Sequence, residues 1–272
     1  MLSNLSTVYT NQADYAIALE SAFSALKIYE NLKWVEQQAY VLDNIGTIYF
    51  NRKKYARAIT NYHSALLIYQ RLKNKEGIAR ILGNKALVYN DLGNFSSALS
   101  NHLDAYEINR KSGNKQGEQI NLTNIGNVYL NLALPDSALY YYNLALEIAK
   151  KSENQIFITG INENIGKVYI LKAKQNNISK NYFLDKGEIL LTKAINESKS
   201  IGITEMYIEF MQSLSEIYEL KGQFKKSLNL IHQYTKISDS INSYTLEQRL
   251  NNLETNRDLE LVNKNVQLKE RE

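Results

Sequence analysis

The sequence predicts an all-α repeat solenoid, and three observations predict it. Tyr9, Tyr49, Tyr89, Tyr129 and Tyr169 stand forty residues apart, with Tyr218 following after a longer gap. A small residue lies three positions before each of them: Ser6, Gly46, Ala86, Gly126, Gly166 and Ser215. Between these points run segments of helical length divided by turn chemistry, in a chain of 272 residues whose single proline is Pro135. A fixed period of this length means stacked units, each burying its apolar surface against its neighbours, rather than one central core.

Two helices account for each period. Seven residues before the tyrosine stands Leu2, Leu42, Leu82, Leu122 or Met211, with Asn162 breaking the pattern in the fifth unit. These offsets put the apolar residue, the small residue and the tyrosine on one stripe of a helix, where the small residue lets a neighbouring backbone approach. This is helix A. Nine residues after the tyrosine comes Ala18, Ala58, Ala98 or Ala138, and sixteen after it Ala25, Ala65, Ala105 or Ala145. That gap places both methyl groups on one face of a second helix, B, and permits close packing. Between the alanines stands Tyr62, His102 or Tyr142, and Ala22 in the first unit. On these residues the chain, over about 1–241, resembles a tetratricopeptide repeat protein. Its forty-residue period resembles the longer-helix subclass of kinesin light chain and of bacterial peptide receptors of the Rap type. The resemblance implies a right-handed superhelix of about six helix-turn-helix repeats, non-catalytic, with a concave groove lined by the A helices.

The repeats are expected at about 1–33, 34–73, 74–113, 114–153, 154–202 and 203–241. The first opens in mid-helix with an apolar edge of Leu2, Leu5 and Val8: either a short leading segment suffices to cover it, or, the reading preferred, the chain is a piece of a longer protein. Its helix B is predicted over 14–31. The second repeat has helices over 34–51 and 55–72, the third over 75–92 and 95–111, the fourth over 115–132 and 135–151. Gly93-Asn94, Gly113-Asn114 and Glu153-Asn154 mark turns. Pro135 falls at the first turn of a helix B, where its missing N–H costs nothing. In the fifth repeat Ala194 lies twenty-five residues beyond Tyr169 instead of sixteen, so nine residues are inserted. They are placed within 173–183, as an extended loop around Gln175-Asn176-Asn177. The sixth keeps Leu214, Ser215 and Tyr218 but has Ser227 and Tyr234 where alanines stood.

Residues 242–272 are densely charged and free of proline and glycine, which predicts a long helix. Leu246, Leu250 and Leu253 begin a stripe that Leu259, Val262 and Val266 restart in another phase, so a regular coiled coil is not predicted. The helix caps the last repeat, pairs with a second copy through residues 244–272, or continues into something further. Tetratricopeptide arrays ending in such a helix are similar to the sensor portions of bacterial two-component kinases and helix-turn-helix regulators. This similarity implies the alternative function: a sensor or regulatory fragment with the helix as transmitter.

Composition narrows the chemistry. With no cysteine, disulfides and thiolate metal sites are excluded. A formal charge of +4 from scattered lysines and arginines does not make a nucleic-acid surface. No run approaches the eighteen apolar residues of a membrane span, and Met1-Leu2-Ser3-Asn4 is no signal peptide. The chain is expected to be soluble and cytoplasmic, unless a signal sequence upstream exports it. His63, His102 and His232 all fall on B helices without paired spacing, and read as packing or solvated side chains. Gly126 and Gly166 sit inside helices rather than in a phosphate loop. No catalytic residue, metal ligand or cofactor site is expected.

One polar pattern stands out. Five residues before the tyrosine comes Asn4, Asn44, Asn84, Asn124 or Asn164, and Ser213 in the sixth repeat. Asparagine is a mediocre helix former, so five at one phase call for a cause beyond propensity. A carboxamide carries one acceptor and two donors, which match the backbone of an extended peptide. The same group can instead bond across to the adjacent helix A. By the resemblance this phase faces the groove, and the ladder would read backbone rather than sequence. Phe50, Asn127, Leu130, Lys167, Glu216 and Glu219 are its expected groove neighbours, with Lys167 an isolated cation and Glu209, Glu216 and Glu219 an acidic rim. The clustered cations of a carboxylate clamp are absent. The expected partner is a protein or peptide.

Overall fold

The computed structural model describes residues 2–240, at 2–4 and 205 by backbone alone. The described residues form helices and short turns only. The helices are α1 (Leu2–Asn11), α2 (Tyr15–Asn31), α3 (Val35–Asn51), α4 (Tyr55–Arg71), α5 (Lys75–Asp91) and α6 (Phe95–Ser112). They continue as α7 (Lys115–Asn131), α8 (Pro135–Lys151), α9 (Gln155–Gln175), α10 (Lys180–Ile201) and α11 (Thr204–Leu220). A further helix, α12, covers residues 224–240. Odd-numbered helices are the A helices and even-numbered ones the B helices. Through the fourth repeat the predicted ends lie within one residue of those observed. The helix predicted over 242–272, with its proposed dimer contact, lies outside the described residues.

The forty-residue period divides into two equal halves. Left-handed residues recur every twenty positions, at Ala13, Lys33, Lys53, Lys73, Gly93, Gly113, Ala133 and Glu153. Each closes a helix. After α3, Lys53 N–H donates to the Phe50 carbonyl at 2.7 Å and Lys54 N–H to the Tyr49 carbonyl at 2.8 Å, which satisfies carbonyls the helix end leaves unpaired. The carbonyls of Tyr9, Tyr89, Tyr129 and Tyr218 accept the same bond. The ruler tyrosines thus mark the last turn of each A helix.

Within a repeat the two helices meet at the small position. A Cβ on Gly46 would stand 2.6 Å from the Tyr62 ring, and one on Gly126 2.5 Å from that of Tyr142. Both rings are buried, and each hydroxyl finds a partner on helix A: Tyr62 with the Thr47 hydroxyl at 3.1 Å, Tyr142 donating to Asn127 Oδ1 at 2.6 Å. The third repeat substitutes the set together, with Ala86, Leu87 and His102 in the places of glycine, the polar residue and tyrosine.

The chain divides into two compact units between Leu171 and Lys172, inside α9. The insertion is not the extended loop expected. α9 has 21 residues and α10 has 22, against 17 for α7 and α8, so most of the added chain extends two helices around a short turn. Helical hydrogen bonds satisfy the added backbone at less cost than a loop. In the second unit the Lys221 ammonium donates to Asp185 and Glu188, tying the end of α11 to α10.

Candidate functional site

The A helices of the first unit touch in sequence, α3 on α5 and α5 on α7. Asn44, Asn84, Asn124 and Asn164 stand on them at one phase, each half-buried. Their bonding differs. Asn84 Nδ2 donates to Asp43 Oδ1 at 2.8 Å, the cross-helix bond that was one of two readings of the ladder. Asn124 Oδ1 accepts only a long 3.5 Å bond from Asn127. Asn44 Nδ2 is buried without a partner among the described residues. The side chain of Asn4 lies outside the described set.

Asn84 belongs to a network that the period did not announce. Asp43, 4% exposed, also accepts from Arg80 Nε at 2.8 Å, and Arg80 Nη2 donates to the Tyr69 hydroxyl at 2.7 Å. The guanidinium lies 5.4 Å from the centroid of the Tyr69 ring and 6.0 Å from that of Tyr40. Burial pushes the Asp43 carboxyl above its usual range, while the Arg80 cation and the Asn84 amide oppose the shift. The signal for this network was the isolated Arg80 nine residues before a ruler tyrosine, where the neighbouring repeats have Tyr40 and Ile120.

Two cavities open along this face. One, of about 320 Å³, is lined by Tyr29, Glu36, Tyr40, Tyr69, Glu76 and Arg80 among others. The second, about 410 Å³, lies between α5 and α7 and includes Asn84, Leu87, Asn109, Ile120, Asn121 and Asn124 in its lining. Two rungs of the ladder therefore share one cavity.

The predicted neighbours are less free than expected. Lys167 is not an isolated cation, because its ammonium pairs with the buried Glu163 at 2.6 Å one helical turn away. Asn127 is engaged by Tyr142, and Phe50 packs against Tyr55 with ring centroids 6.2 Å apart. Leu130 is half-buried. Glu216 and Glu219 lie in the second unit, where Lys174 pairs with Glu216 at 2.6 Å and Ser227 donates to Glu219 at 3.0 Å. The acidic rim is thus partly neutralised.

His102 is a core residue. Its Nδ1 lies 3.2 Å from Asn121 Oδ1, while Asn121 Nδ2 donates to the Gly117 carbonyl at 2.8 Å. The Asn121 oxygen must accept, so His102 carries its proton on Nδ1, and its buried Nε2 has no partner among the described residues. Burial lowers its pKa to about 4. Among the described residues no group of acidic, histidine or cysteine side chains is placed to hold a metal, and no helix is long and apolar enough to cross a membrane.

A tetratricopeptide repeat model matches residues 37–111 and 77–151. Similar solved structures include BtubC (BKLC) from P. vanneervenii, 16% identical, with a TM-score of 0.66 over 82% of this chain and 90% of that one. The apo form of RapI is 19% identical, with a TM-score of 0.67 over 89% and 83% of the two chains. A signal transduction ATPase with a tetratricopeptide repeat sensor, from Pyrococcus horikoshii, is 18% identical, with a TM-score of 0.66 over 91% of this chain and 37% of that one. At such identities the likeness is one of fold. No curated protein matches the sequence.

Proposed function

From the premise that this chain is a tetratricopeptide repeat protein, we propose that it is a non-catalytic binding module that holds an extended protein or peptide segment along the A helices of its first unit. The observation that carries this is the row of half-buried asparagines with amide capacity to spare. The Asn164 side chain makes no hydrogen bond among the described residues, that of Asn124 only a long one, and Asn44 keeps an unpaired Nδ2. A buried amide without a partner is costly, as at Asn44 Nδ2, and the half-buried amides of Asn124 and Asn164 are open to a peptide backbone that supplies donors and acceptors. Asn84 contributes less, since Asp43 already holds its amide nitrogen. A Rap protein of the same fold has been solved in complex with Competence and Sporulation Factor, an analogy that raises the prior without assigning residues.

The test is selection of a random extended-peptide library on the parent and on a variant carrying Asn124→Ala and Asn164→Ala, with helicity checked by circular dichroism. Each backbone bond contributes about 0.5–1.5 kcal/mol, so the double variant should bind selected peptides roughly 10- to 100-fold more weakly. Equal binding by the two proteins, or no selection on the parent, would sink the reading.

A further inference from the structure

Successive repeat junctions carry equivalent cavities, and one of them has been emptied. At the junction of the second and third repeats the deep space is filled by the network of Asp43, Tyr69, Arg80 and Asn84. Forty residues on, the same four positions are Gly83, Asn109, Ile120 and Asn124. An acid has become glycine, a tyrosine asparagine and an arginine isoleucine. Both cavities are lined at the shared positions 36/76, 40/80, 69/109, 74/114 and 77/117, but the later one runs deeper, to Gly83, Asn84, Leu87, Asn121 and Asn124.

A polar group in this space lacks a partner. Asn109 is only 5% exposed, and its Oδ1 accepts from Asn114 Nδ2 at 3.1 Å. Its Nδ2 donates to nothing among the described residues, and neither does Asn84 Oδ1 accept. The cavity therefore offers an unused amide donor and an unused amide acceptor, with Ala79, Leu87 and Ile120 as apolar wall. Of its two charged lining residues, Arg80 is paired with Asp43 and Glu76 is exposed, so the buried part of the lining, at Ala79, Asn109 and Asn121, carries no charge.

We infer that the cavity between α5 and α7 is a specificity pocket for an uncharged carboxamide side chain, glutamine or asparagine, of the bound segment. The inference rests on the groove reading above. A carboxamide supplies both the acceptor for Asn109 and the donor for Asn84, and its methylene stem lies on the apolar wall. A charged side chain that reached the buried Asn109 amide would lose its hydration there, with Glu76 exposed and Arg80 already paired with Asp43. An aliphatic one would leave both amides unmade.

The experiment is the same peptide selection on the parent, on Asn109→Tyr and on Gly83→Thr. The tyrosine restores the residue found at Tyr69, and Gly117 leaves it the seat that Gly77 leaves Tyr69. The threonine copies Thr123, and a Cβ at Gly83 meets nothing nearer than Asn121 Oδ1 at 3.6 Å. The parent should enrich glutamine or asparagine at one peptide position, and both variants should lose that preference. A selected peptide should bind each variant about tenfold more weakly, while its Gln→Ala or Asn→Ala version binds parent and variants alike. Enrichment of a charged or aliphatic residue at that position, or a carboxamide preference retained by both variants, would overturn the pocket and leave the groove standing. No enrichment on the parent would overturn both.

Discussion

A single methyl group separates the two ways in which this chain joins its helices. At Gly126 an added Cβ would stand 2.5 Å from the fully buried ring of Tyr142, whereas the third repeat accommodates Ala86 because His102 replaces the larger ring. Gly126→Ala should destabilise the protein by about 1–3 kcal/mol through overpacking, measured by chemical denaturation. Adding Tyr142→His should recover part of that loss, giving a coupling energy of opposite sign; strictly additive effects would refute the pairing. His102 also makes stability depend on pH. Its folded pKa is lowered to about 4 from 6.5, so between those values the unfolded chain takes up a proton that the folded one refuses. The stability present above pH 6.5 is therefore lost as pH falls toward 4, by at most roughly 3 kcal/mol. Denaturation curves of the parent and of His102→Gln, taken across that window, should converge at the acid end if the buried imidazole is responsible.

The twenty-residue half-period belongs to the helices and their turns rather than to any side chain. Every junction through the fourth repeat passes through a left-handed residue, and six of these are not glycine: Ala13, Lys33, Lys53, Lys73, Ala133 and Glu153. A side chain in that region costs about 1–2 kcal/mol. Glycine removes the strain but adds entropy to the unfolded chain, about 0.5–1 kcal/mol. Lys53→Gly, at φ 55°, should therefore stabilise the protein slightly, by up to roughly 1 kcal/mol, and Gly93→Lys should do the reverse. Thermal unfolding of both variants distinguishes this from a turn whose lysines are held by contacts of their own, in which case Lys53→Gly would destabilise. Three of these turns were legible in the sequence, at Gly93-Asn94, Gly113-Asn114 and Glu153-Asn154, and the period carried them to the other junctions. The lengthening of α9 and α10 was not, since Asn176-Asn177 marks where a turn sits but not how far the flanking helices run.

Across the whole chain, what recurred was legible and what coincided was not. The period placed Asn84 and Asn124 on one face, yet it could not tell that Asp43 from the preceding repeat would take up the first and leave the second. Gly83, Asn109 and Ile120 each look like an ordinary lapse in a degenerate repeat, and only in three dimensions do they meet around one cavity. The same nearest-neighbour construction shapes how damage spreads. Asp43 links α3 to α5 through Arg80 and Asn84. Asp43→Ala leaves an arginine that solvent can partly hydrate and an amide without its acceptor, a loss of about 1–3 kcal/mol. In a solenoid each repeat leans only on its neighbours, so that loss should be local. Amide hydrogen exchange should quicken in α3, α4 and α5, and less in α2 and α6, while α8 keeps its parental protection. Equal acceleration throughout α2 to α8 would instead mean that the first unit opens as one cooperative block, with the Asp43 network contributing to the stability of all of it.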